Sequence, residues 1–193
     1  MTYTVRDSDD VSYVRTFFVP LDDLCAQRHT PRDEVDDAIA AGRLPASAYL
    51  LEDGTPMVAP DHFQIADDAG GLDRLPAHFA ERLGAAARRR RAEVDAAEEW
   101  RSYLSGVYAV CLRQVTPENI VRKEQLVRLI DGALAAPAPA DEAWRRDLRV
   151  AVAELDALER PFAPCDTERF AGVVSRARCI DGARMRYPSV FER

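Results

Sequence analysis

Between Tyr103 and Lys123 the chain gathers Tyr103, Tyr108, Cys111, Arg113, Glu118, Asn119, Arg122 and Lys123 within a few turns. Arg113, Glu118, Arg122 and Lys123 flank Thr116-Pro117, a pair that reads as the N-cap and first residue of a helix. The amide end of a helix attracts anions, and nearby arginines strengthen that attraction. A carboxylate or phosphate held between Arg113 and Arg122, with Tyr103 or Tyr108 as hydrogen-bonding or acid–base partner, is the chemistry this spacing suggests. Tyr108 and Glu118 are therefore the candidate catalytic groups, and Arg113, Arg122, Lys123 and Tyr103 the candidate substrate-binding ones. A plainer arrangement competes with this one. Glu118 and Arg122 would form an ordinary i,i+4 pair, and both tyrosines would be core residues with satisfied hydroxyls.

Other chemistries find little purchase. Cys25, Cys111, Cys165 and Cys179 lie far apart with no Cys-x-x-Cys pair, and His29, His62 and His78 are scattered. That is not zinc-ligand spacing, and no nucleotide loop or nucleophile motif accompanies it, so neither metal nor cofactor is expected. The cysteines read as free thiols packed as small apolar groups. A chain of 193 residues with 47% hydrophobic and 31% charged content is ordinary for a soluble protein of one large or two small domains. No apolar signal core follows Met1, and no run of about 18 apolar residues occurs, so the expected location is cytoplasmic, away from membranes.

The elements that must position these residues fall into two parts, expected at 1–66 and 72–193. In the first, Val11, Val14, Phe17 and Phe18 recur at helical spacing over residues 8–18, and Leu21, Leu24 and Cys25 mark a short second helix. Thr30 offers an N-cap and Pro31 a first helical residue to a third helix, which Gly42 ends. Tyr49–Glu52 and Pro56–Val58 then flank an Asp53-Gly54 turn, which predicts a β-hairpin. Helix, turn, helix and a two-stranded wing resemble the winged helix-turn-helix of the MerR and excisionase type over roughly residues 19–63.

Charge argues against the use such a head usually serves. Residues 1–70 hold five arginines against fourteen Asp and Glu, a net 5 − 14 = −9, which leaves −7 − (−9) = +2 for the remainder. The helix that would enter the major groove carries Asp33, Glu34, Asp36 and Asp37 but one cation, Arg32. Phosphate neutralisation drives most duplex affinity, so no nucleic-acid partner is expected, and the head reads as a packing module.

Gln64–Gly71 reads as the linker, with its two glycines after an acidic patch. Beyond it, Leu72, Leu75, Phe79 and Leu83 open a helical stripe. Arg88–Arg91 would be neutralised at i,i+4 by Glu93 and Asp95 on the same helix. Trp100, Leu104, Val107, Tyr108, Cys111 and Val115 continue one face, with Ser105-Gly106 inside it to admit a close contact. Helices from Pro117 and after Asp141 follow, joined through Ala135–Ala140 and ended by Pro161. The tail from Asp166 reads as short helices or turns, and its Arg169, Arg176, Arg178, Arg184 and Arg186, interleaved with Phe170 and Tyr187, suit either the lining of an acidic-ligand pocket or, the default on charge, docking on the acidic head. The fold class is thus mostly α: a winged helix-turn-helix-like head with a small β-hairpin, then an all-α helical bundle.

Phe18–Cys25, Leu50–Val58, Val110–Lys123 and Leu158–Phe162 together resemble an actinobacterial family of uncharacterised natural-product biosynthesis proteins. The high Ala, Arg and Asp usage and scarcity of lysine fit such a genome. The resemblance implies an accessory or tailoring protein of specialised metabolism. As an enzyme it would be cofactor-independent, acting on an acidic or carrier-bound small-molecule substrate. A MerR-like ligand-sensing regulator and a non-catalytic interaction module, such as a homo-oligomer, are the alternatives.

Overall fold

A computed structural model describes residues 3–170 and 174–192. Its first element, Tyr3–Val5 (β1), is followed by Ser8–Phe17 (α1), capped by Asp7, and by the short strand Val19–Pro20 (β2). Leu21–Arg28 (α2) and Arg32–Ala40 (α3) form the expected helix–turn–helix. Pro31, not Thr30, takes the N-cap position of α3, and no side chain caps it, so Thr30 is displaced one residue outside the helix. Gly42 ends α3 at φ 66°, and Arg43 N–H closes the turn on Ala38 O at 2.8 Å.

Tyr49–Leu51 (β3) and Pro56–Val58 (β4) pair antiparallel about Gly54, whose φ is 87°. The hairpin does not stand alone. β1 joins β3 in parallel and β2 joins β4 antiparallel, giving a four-stranded sheet ordered β1-β3-β4-β2. Strands of two and three residues are too short to show an alternation, so the sequence signalled only the Asp-Gly pair.

The supposed linker is a helix. Gln64–Ala69 (α4) buries Ile65, Ala66 and Ala69 and ends in left-handed Gly70. It leads to Leu75–Arg90 (α5), which buries Leu75, Phe79 and Leu83. Arg91 then turns left-handed at φ 52°, so Glu93 and Asp95 leave the helix and the expected i,i+4 pairs do not form. Asp95 instead caps Ala96–Leu104 (α6). Gly106, at φ 78°, separates α6 from Val107–Cys111 (α7), where one continuous helix was expected.

Thr116 and Asp141 cap the two long helices Pro117–Ala135 (α8) and Glu142–Leu158 (α9) as the sequence implied. α8 packs on α5 and α9. The rest of the described chain is Pro164–Arg169 (α10), a π-helical turn Arg176–Asp181, Gly182–Arg186 (α11) and Pro188–Phe191 (α12). The protein is thus mostly α with one small sheet, and none of its described helices is long and apolar enough to cross a membrane. One hydrophobic cluster unites Leu21, Cys25 and Val35 with Phe79, Tyr103 and Ile120, so apolar packing runs unbroken across Gly70-Gly71.

Candidate functional site

The helices that carry the six sequence candidates point them toward different neighbours. Glu118, in the first turn of α8, accepts Arg82 Nε at 3.0 Å and Nη2 at 2.8 Å, while Arg82 Nη1 reaches Asp68 at 2.9 Å. Burial would raise the Glu118 carboxyl, but the Arg82 hydrogen bonds outweigh it and hold the group below the usual range. One turn on, Arg122 makes a two-pronged ion pair with Glu154 of α9 and donates to Gln125 Oε1 at 2.7 Å. Glu118 and Arg122 therefore clasp α8 to separate helices and do not pair with each other.

Tyr108 donates to Glu99, and burial together with that carboxylate pushes its phenol above the ordinary value. A phenol so held keeps its proton at neutral pH. Tyr103 lies in the core at 3% exposure, stacked 5.0 Å from Phe79. Its hydroxyl has no partner among the described residues. Arg113 is exposed, and its backbone rather than its guanidinium is engaged: its N–H donates to Leu158 O at 2.9 Å.

Lys123 meets a cleft. The space, about 210 Å³, opens between α7, α8 and the segment around Ser175. Phe162, Phe170, Val107 and Val127 make an apolar wall, while Lys123, Cys111, Ser175 and Arg178 bring polar groups to it. Behind Lys123 stands Glu159, its side chain fully buried, with Oε1 3.7 Å from Lys123 Nζ and hydrogen-bonded by Ser175 Oγ. Glu159 Oε2 has no partner among the described residues.

The electrostatics of this cleft are those of a fixed cation over a buried carboxylate and beside a thiol. Burial alone would lower the Lys123 ammonium, yet Cys111 and Glu159 reverse the effect and hold it above its ordinary value. Burial raises the Cys111 thiol and the Glu159 carboxyl. Cys111 therefore stays a thiol at neutral pH and is no nucleophile as it stands. What the arrangement offers is a charged donor and a hydroxyl at the edge of an apolar wall, which suits a carboxylate or carbonyl on an apolar body. Among the described residues, no group of three or more His, Cys, Asp and Glu is placed to hold a metal ion.

Arg160 and Asp166 organise the surroundings. Arg160 threads its guanidinium into the interior, donating from Nε to Leu112 O at 2.9 Å, from Nη1 to Phe17 O at 3.1 Å and from Nη2 to Arg113 O at 3.1 Å. Asp166, fully buried, accepts Tyr49 Oη at 2.6 Å and Ala163 N at 3.0 Å. Arg160 ties the segment after α9 to the end of α1 and to Leu112–Arg113, and Asp166 ties α10 to β3. Arg160 stood in the sequence as a lone cation between Leu158 and Phe162, and Asp166 as the first residue of the charged tail. The tail arginines mostly stay within the helical half: Arg176 and Arg184 pair with Asp156, and Arg178 with Asp131. Arg169 instead reaches the residue that leads into β3, donating to Ala48 O at 3.1 Å.

Residues 72–188 match the model of a family described as Family of unknown function (DUF6058), and the chain belongs to that family. Neither curated proteins nor solved structures give a match to it.

Proposed function

We propose that this DUF6058 protein is an accessory or tailoring protein of specialised metabolism that binds an acidic or carrier-bound intermediate beside Lys123. The observation that carries the reading is the Lys123 ammonium, kept charged over buried Glu159 at the mouth of an apolar cleft. The resemblance to natural-product biosynthesis proteins supplies the metabolic setting. Acidic head groups would meet Lys123 and Ser175, and the apolar body would lie along Phe162 and Phe170. Any catalysis would be cofactor-independent, with the ammonium polarising a substrate carbonyl.

Calorimetric titration with short aromatic and aliphatic carboxylates, and with their pantetheine thioesters, tests this. Binding by the unmodified protein should fall at least about tenfold in Lys123→Met, the loss of one charge-assisted hydrogen bond. Removing Lys123 also strands Glu159, so Ser175→Ala, which keeps the ion pair, serves as a milder second variant. Absence of heat with every compound and the unmodified protein retires the site.

A ligand-sensing regulator is the second reading, favoured by the helix–turn–helix and hairpin of α2, α3, β3 and β4. Its difficulty is local as well as global, because Arg32 is already bound to Asp22 at 2.5 Å and Asp36 at 2.9 Å. A duplex-binding assay at low salt, where electrostatic attraction is strongest, separates the two. We expect no shift.

A further inference from the structure

A different place in the molecule holds polar groups that the proposed function does not use. Where Pro45–Ala48 and the Ala59–Ile65 segment meet α6 and Val115, the core contains a small, partly enclosed space of about 20 Å³. Asp61, His62 and Tyr103 line it. Each has one buried side-chain atom with no partner among the described residues: Asp61 Oδ1, His62 Nε2 and Tyr103 Oη. Three such groups lining one cavity would each carry a desolvation penalty if nothing met them. Buried polar groups are nearly always paired, with protein or with water.

We infer that this cavity is a binding site for a single structural water, held by Asp61, His62 and Tyr103. The volume suits one: about 10–15 Å³ admits a water, and such waters typically make about three hydrogen bonds. The donor and acceptor count also closes. The water donates one hydrogen to Asp61 Oδ1 and the other to His62 Nε2, in the tautomer protonated at Nδ1, and it accepts from the Tyr103 hydroxyl. His62 is suited to accept because burial, helped by Arg28, keeps its ring neutral at pH 7. Tyr103 is suited to donate because burial and the Asp61 charge hold its proton.

Asp61 links the site further, since its other oxygen accepts Val115 N–H at 2.7 Å. The water thus completes a bridge from the turn after β4 to α6 and to the residues that lead into α8. A monovalent cation fits less well, because three ligands, one of them an imidazole, leave most of its coordination unmet.

A crystal structure of the full chain at about 1.5 Å, grown at neutral pH with rubidium in place of sodium and potassium, tests the assignment. The expected result is one peak without anomalous signal, within about 2.6–3.2 Å of all three atoms. An anomalous rubidium peak, a dry cavity, or side chains rotated onto protein partners would overturn it. In solution, ¹⁷O magnetic relaxation dispersion on the unmodified protein and on Tyr103→Phe gives a second reading. The variant keeps the ring stack but loses one bond to the water, so the residence time should shorten by about tenfold. Equal residence times in the two proteins would count against the site.

Discussion

At the scale of single residues, His62 gives the sharpest expectation. Its pKa falls from 6.5 to about 4, chiefly because burial disfavours the charged ring. Above pH 6.5 the ring is neutral folded or unfolded and contributes nothing to the difference. Between 6.5 and about 4 only the unfolded chain takes up the proton, so stability should fall as pH falls, by roughly 3 kcal/mol across the window. Asp61, Glu159 and Asp166 act with the opposite sign at the acid end, since burial raises each of them in the fold. Urea unfolding at pH 7, 6 and 5 checks this, and His62→Gln should flatten the slope. The sequence exposed such residues unevenly. Lys123 stood out by its company, whereas His62 and Tyr103 matter through neighbours 41 positions apart in the chain, which no local pattern reports.

At the scale of elements, two glycines should respond in opposite ways. A Cβ added at Gly106 would lie 2.5 Å from Ala46 O, a backbone atom that cannot step aside, and φ 78° adds strain for any side chain. Gly106→Ala should cost well over 1 kcal/mol in thermal or urea unfolding. Gly132 is exposed within α8 with nothing near its missing Cβ, so Gly132→Ala should stabilise the protein by about 1 kcal/mol. Helix starts were legible because Thr116 and Asp141 cap through their own side chains. Helix ends were less so: Arg91 and His29 take left-handed turns without a glycine to announce them. Gly106 showed in the sequence as an oddity. That it admits the Ala46–Ser47 backbone, and so breaks the helix in two, depends on a loop 60 residues earlier.

At the scale of the whole molecule, the shared apolar cluster on both sides of Gly70-Gly71 implies a single cooperative unfolding transition. Calorimetry should return equal calorimetric and van't Hoff enthalpies, and two separated transitions would refute the expectation. Composition and helical periodicity made the mostly α class readable, but the merger of its parts was not, because Asp10, Tyr49 and Arg160 find their partners more than 45 positions away. The buried cysteines have a practical consequence. Cys25 and Cys111 sit in one apolar cluster, Cys165 in a second and Cys179 in a third. A membrane-permeant or soluble alkylating reagent therefore meets four shuttered reporters, and peptide-resolved labelling rates would chart which district of the protein breathes first without a single probe being engineered in.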